Sequence, residues 1–365
     1  MLTSDPDFVP PFCPIPSCRF HRDPAGFRFV LHGAYLRKAA PRVIRRFRCL
    51  GCEHTFSTQT FDTTYYLKRP DLQPLIFDAL NACSALRQFA RSWHVAHSTV
   101  QRQASRLGRH CLLFERVRGP RSPPREPVAI DGFVSFEYSQ YWPFELNTMV
   151  GTESHYFYAF TESELRRSGR MRPEQKRKRA LLEERHGKPD PEATRKAVEA
   201  LVQLVAPQAA RLSVVSDEHA AYPRAFKRLP HAIEQVTCSS RRCRTARNPL
   251  FVVDLLDLML RHGGANHKRE TIAFSKRRQG AMERAAVMQV WRNHVKRVRE
   301  NDRRSPTPAQ TLGLADRALT TRDVLLRRLF VSRIELPAPL RRCYWREIPT
   351  RQVPAGTRHV RRRAA

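Results

Sequence analysis

The chain has 365 residues, 41% of them hydrophobic, and carries 66 Lys and Arg against 34 Asp and Glu, a formal net charge of +32. That excess is larger than solubility requires and points to a polyanionic partner, while the apolar content suffices for one domain-sized core plus smaller modules. A transmembrane helix is not expected, because the longest apolar run, Leu250 to Leu260, is broken by Asp254 and Asp257 and is too short to cross a bilayer.

In chain order, the opening Met1-Leu2-Thr3-Ser4-Asp5-Pro6 has neither a basic segment nor an apolar core, so a cytoplasmic location without a signal peptide is expected. Reduced thiols in that compartment suit a metal site better than disulfides. Cys13-x4-Cys18 and Cys49-x2-Cys52 are two close pairs separated by about thirty residues, the spacing with which two knuckles close a tetrahedral zinc site. Residues 1–62 therefore read as a zinc ribbon with structural Zn2+ on Cys13, Cys18, Cys49 and Cys52. Short β-prone runs lie between the pairs, and His21 and His54 are substitute ligands.

From Asp71 to Leu107 the apolar residues recur at three- and four-residue spacing, the mark of amphipathic helices. A break at Trp93-His94 precedes a helix capped near His97-Ser98-Thr99, which carries Val100, Ala104 and Leu107 inward and Gln101, Arg102, Gln103 and Arg106 outward. Ala90 and Val100, ten positions apart, match the packing pair of a helix-turn-helix, with His94 where glycine is usual. Outward Gln and Arg suit base edges and phosphates. The module spans 67–115, and the Pro- and Arg-rich stretch 116–127 reads as an extended linker.

Beyond it, Pro127 to Phe133 is a strand run ending on Asp131, Glu145 to Val150 and His155 to Phe160 are antiparallel neighbours, and a helix near Pro191 to Val205 leads to Arg211–Asp217, a buried strand that also ends on an aspartate. Arg166 to Arg179 carries six Arg and two Lys against Glu174, and forms a basic insertion within 162–190. An apolar helix from Asn248 to Arg261 holds Asp254 and Asp257 one turn apart, costly to bury unless they bind a cation or pair with a base. Carboxylates delivered by two strands and a helix are what a two-metal phosphoryl-transfer site needs. Met282 to Arg299 reads as a long basic helix, and 301–365 as a basic C-terminal region whose Arg-rich end, from Arg341, is a peripheral tail.

The zinc ribbon, the helix-turn-helix, Ile130-Asp131-Gly132, the segment Val215 to Tyr222 and the segment Asn266 to Lys276 together resemble the transposases of bacterial insertion sequences, of the acidic-triad type, from about Cys13 to Gly313. The resemblance implies an α/β fold, with a ribonuclease H-like mixed sheet flanked by helices over 128–300. The last segment is similar to an Arg-x-Thr-x-x-Phe-Ser-Lys stretch that in some such enzymes follows the helix bearing the third acid. That implies a third acid near Asp254, which lies fifteen residues before Arg269; the acid is usually glutamate, and this helix offers only aspartates. Asp131, Asp217 and Asp257 are the implied ligands of Mg2+ or Mn2+, with Asp254 and then Glu270 as alternatives to Asp257. Lys268, Arg269 and Lys276 are implied to face DNA. The implied activity is metal-dependent cleavage at element ends followed by attack of the freed 3′-hydroxyl on target DNA, by a nucleoid-associated homodimer or higher oligomer. A related regulator that binds double-stranded DNA without cutting it is the alternative.

Overall fold

The computed structural model describes residues 7–268 and 272–353. After a short helix, α1 (Arg19–Arg22), the chain forms an antiparallel sheet of β1 (Phe29–Leu36), β2 (Val43–Cys49) and β3 (Thr55–Ser57), in the order β1-β2-β3. Phe47 pairs across the sheet with Leu31 on one side and Phe56 on the other. So small a module buries little surface, and its interior is built from phenylalanine rings and the cysteines. Phe330, from far along the chain, completes that core, with its ring 5.6 Å from Phe61.

Three helices follow: α2 (Leu72–Asn81), α3 (Leu86–Ser92) and α4 (His97–Arg118). Ala90 and Val100 are both buried, as a helix-turn-helix pair requires, and His94 takes the left-handed turn position at φ 48°. The linker expectation is corrected at its start: α4 runs on through Arg118, because Leu112, Leu113 and Phe114 continue its buried face. At Gly119 the chain turns where a Cβ would lie 2.6 Å from the Glu115 carbonyl. The end of the stretch is docked too, since Glu126 accepts the backbone N–H groups of Glu153 and Ser154 at 2.8 Å.

The main sheet comprises β4 (Val128–Phe136), β5 (Pro143–Gly151), β6 (Phe157–Glu164), β7 (Arg211–Ser216) and β8 (Ala232–Thr237), in the order β6-β5-β4-β7-β8. The first three strands form an antiparallel meander; β7 then runs parallel to β4, and β8 parallel to β7. Helix α5 (Pro173–His186) lies in the insertion after β6, and α6 (Ala193–Val205) and α7 (Ala221–Phe226) pack on the sheet face that presents Val128 and Ile130. The opposite face, with Ala129 and Phe133, meets α8 (Phe251–Gly263), α9 (Arg278–Val290) and the α2–α4 helices in one continuous core. Period-two alternation along β4 is what allows both faces to be covered.

Three expectations change here. β4 does not end on Asp131 but continues five residues to Phe136, held by pairing as far as Phe136 with Pro143. The long basic helix expected over Met282 to Arg299 is instead α9 plus a π turn at Trp291–Val295, and it is central, with Arg278, Gln279, Glu283 and Gln289 all buried. Arg278 is accommodated by Glu162 and Glu164, each at 2.9 Å, and by Glu137 at 3.6 Å. The C-terminal region adds α10 (Pro308–Thr311), α11 (Thr321–Val324) and α12 (Ala338–Tyr344), and α12 is no loose tail because Cys343, Tyr344 and Ile348 enter the main core. Residues 354–365 lie outside the described residues. Among the described residues no helix is long and apolar enough to cross a membrane.

Candidate functional site

The four ribbon cysteines converge so that all their Sγ atoms lie within 4.8 Å of one another. Cys13 and Cys52 are 3.6 Å apart and Cys18 and Cys49 are 3.9 Å apart. A tetrahedron with bonds of about 2.3 Å has edges of about 3.8 Å, so the donor set fits zinc in size as well as in chemistry. Gly51 supports one knuckle: its N–H points at Cys49 Sγ, 3.3 Å away, and a Cβ there would lie 2.5 Å from the Phe20 ring. Burial pushes the Cys13 thiol far up, so a cation is what would hold it as thiolate. Neither histidine joins the set: His21 donates from Nδ1 to the Cys13 carbonyl at 2.8 Å and meets Ser332 Oγ through Nε2, and His54 donates to the Cys52 carbonyl.

The acids assemble at the main sheet. The parallel register pairs Val128 with Val214 and Ala129 with Val215, which continued two residues brings Asp131 level with Asp217. Asp131 shares the face of Ala129 and Phe133, against which α8 packs, and α8 carries Asp254 and Asp257. Burial pushes Asp131 up to about 6, partly opposed by the Gly132 N–H that donates to its Oδ1 at 2.7 Å, with Asp217, Asp254 and Glu145 adding negative charge. Asp257 is raised well above the carboxylate range by burial and then by Asp131, and its buried Oδ1 has no hydrogen-bond partner. Asp254 differs, being ion-paired with the exposed Arg244 at 3.2 Å. Asp217 Oδ1 accepts the backbone N–H of His219 at 2.9 Å. An orphaned, buried carboxylate oxygen facing other acids fits a divalent cation, although among the described residues no three of these oxygens converge as closely as the thiols do.

Two neighbours of this cluster were not among the expected site residues. Glu145 accepts from Thr194 Oγ1 at 3.0 Å and Ser163 Oγ at 3.3 Å and lies over Gly132, where a Cβ would come within 2.1 Å of its Oε1. Burial raises its carboxyl as well. Tyr222 is buried, and its hydroxyl is pushed far up by burial and by Asp131, Glu145, Asp217 and Asp257 around it. The available signal was a charged residue inside the apolar run Phe144-Glu145-Leu146, paired obliquely with a strand glycine.

The residues expected to face DNA divide. Gln101, Arg102, Lys268 and Lys276 are exposed, with Lys276 Nζ 3.9 Å over the Phe274 ring. Gln103 is buried and donates to the Arg69 carbonyl at 2.9 Å, so the outward expectation is corrected: the α2 entry packs over that turn of α4. Arg106 is half-buried and pushed down to about 9 by burial, with Arg328 and Arg109 adding like charge. Arg269 and Glu270 lie outside the described residues.

What these features define is a mixed-sheet α/β protein with a buried four-cysteine centre and a separate acidic cluster. No family model and no curated protein matches the sequence. Among solved structures the chain is similar to a chain of the simian T-cell lymphotropic virus intasome in complex with PP2A regulatory subunit B56 gamma. The identity is 15%, the TM-score 0.25, and the match covers 65% of this chain and 71% of that one. A likeness that distant carries no argument, and the functional reading rests on the residues themselves.

Proposed function

We propose that this protein is a DNA transposase that binds element ends and catalyses metal-dependent strand cleavage and strand transfer. The observation that carries the reading is the meeting of Asp131 on β4 with Asp217, the residue that follows the parallel neighbour β7, and with Asp257 and its unpartnered oxygen, in a chain of net charge +32. The strand order, three antiparallel strands followed by two parallel ones beyond the first, is the one expected of a ribonuclease H-like sheet and supports the same reading. Asp131, Asp217 and Asp257 would hold Mg2+ or Mn2+, which supply Lewis acidity toward a scissile phosphate. The protein's own part is to aim the acids through β4, β7 and α8, and to bring DNA to them with Gln101, Arg102, Lys268 and Lys276. The four-cysteine centre is a structural zinc ribbon in this reading, and pairing of two ends calls for at least a homodimer.

Labelled duplex carrying the sequences that flank the gene, incubated with Mg2+ or Mn2+, tests this. Joined products are expected with the unsubstituted chain and not with Asp131→Asn or Asp217→Asn. Binding without any cut strand in either metal would leave the second reading, a DNA-binding regulator. The alternative is favoured by α8 itself, which offers only aspartates where the third acid of such enzymes is usually glutamate.

A further inference from the structure

The insertion between β6 and α6 has the wrong composition for a structural element. Only Glu183 of α5 is buried, and its apolar residues Ala180, Leu181 and Leu182 are consecutive, so they spread around the helix and form no single apolar face that would explain its presence. Arg166 and Arg179 pair with Glu183, and Arg179 also donates to the Arg167 carbonyl, which folds the segment back on itself. Arg170, Arg172, Lys176 and Arg177 remain exposed on this braced element.

Its position in the fold is specific. The insertion leaves the sheet after Glu164, opposite Phe144, and returns at α6, whose Thr194 donates to Glu145 beside the acids. It leans on the hairpin joining β4 to β5: the His186 ring is 5.9 Å from Trp142, and Lys178 Nζ is 5.4 Å from the Tyr141 ring. The other side of the same hairpin holds a second basic segment, where Tyr138 donates its N–H to the Ser275 carbonyl and Phe274 packs on Phe136 below Lys276. β4 continues five residues beyond Asp131 before this hairpin, about 17 Å at ~3.4 Å per residue. Duplex DNA rises about 3.4 Å per base pair, so the hairpin reaches about five base pairs from a phosphate held at the acids.

We infer that the insertion and the β4–β5 hairpin form a track for duplex DNA, with Arg170, Arg172, Lys176 and Arg177 on the phosphate backbone about five base pairs from the reacting phosphate. This rests on the proposed function and adds a contact surface apart from the ribbon and the helix-turn-helix. Such a surface positions DNA and reads no base, so its signature is electrostatic.

The test uses the full chain without catalytic metal and a labelled duplex carrying the flanking terminal sequence. Affinity is measured against salt for the unsubstituted protein and for the variant with Arg170, Arg172, Lys176 and Arg177 all changed to Gln. Each lost phosphate contact lowers the slope of log affinity against log salt by about 0.9, so the variant is expected to be shallower by roughly 3 to 4. Hydroxyl-radical protection at the outer contact should vanish while protection from the helix-turn-helix persists. If the fourfold variant misfolds by circular dichroism, Arg170→Gln with Arg172→Gln, which precede the helix, should lower the slope by about 2. An unchanged slope and footprint in a folded variant would overturn the inference and leave the transposase reading intact. Failure of the unsubstituted chain to bind any duplex would remove both.

Discussion

The cysteine centre and the acidic cluster are built on opposite terms. In the ribbon, four donors from two short knuckles stand at the separations a single zinc ion needs, and hydrogen bonds from neighbouring backbone hold them there. At the main sheet, acids from β4, from the end of β7 and from α8 meet; Asp254 is ion-paired with Arg244, but Asp131 and Asp257 are both raised by burial and by the acids around them. A local loop can impose tight geometry cheaply, whereas a site assembled across a sheet is held by the rest of the fold and can store a repulsion that a cation would relieve.

The largest effect that would break this contrast is loss of the ribbon metal. Chelation, or Cys49→Ser, should remove about one equivalent of zinc and cost on the order of 10 kcal/mol of local folding free energy, read as a lost low-temperature transition in the thermal melt. Retention of the ribbon fold without zinc would show that the phenylalanine core suffices alone. Next, Asp217→Asn should lower metal-dependent strand cleavage by about 10³-fold, some 4 kcal/mol of barrier, with DNA affinity at fixed salt unchanged.

Stability against pH sharpens the acidic side of the comparison. Asp131 has a folded value of about 6 against an ordinary 3.8, so the folded state binds the extra proton and stability falls as pH rises between these values. Asp131→Asn should therefore stabilise the metal-free protein by about 2 kcal/mol at pH 8, an advantage that disappears below about pH 4. Denaturant melts at the two pH values check it, and saturating Mg2+ should shrink the gain by stabilising the unsubstituted protein. The smallest effect belongs to Gly132→Ala. Its methyl group would push Glu145 off Thr194 and Ser163, costing about 1 to 2 kcal/mol in the same melts, and Glu145→Gln in that background should add little further.

Much of the site was legible because its parts are local. Cysteine spacing marks a knuckle, and the Ala90–Val100 interval marks a helix pair whose turn lies at His94 even without glycine. Asp131, Asp217, Asp254 and Asp257 stood out as charges next to apolar runs, and the structure places all four around one end of the β4–β7 pair. The choice between Asp254 and Asp257 was not available from spacing, since both lie on nearly one helix face. In the structure the two differ: Arg244 reaches Asp254 from the loop after β8, and Asp257 Oδ1 has no hydrogen-bond partner. Gln103 misled for a related reason: helical periodicity gives the outward direction of a side chain but not what else lies there.

By itself the amino-acid sequence determined the features that depend on neighbours a few residues away: the metal-ligand pairs, the helix periods, the strand alternation and the basic excess. Only the tertiary structure decided that β4 would outrun Asp131, that Glu145 would cross Gly132 into the acidic site, that α9 would bury Arg278 among three glutamates, and that Phe330 would close the ribbon core. Those outcomes come from pairings between residues tens to hundreds of positions apart, where a charge or a ring is stabilised by whatever the fold sets against it, and local pattern carries no record of that partner.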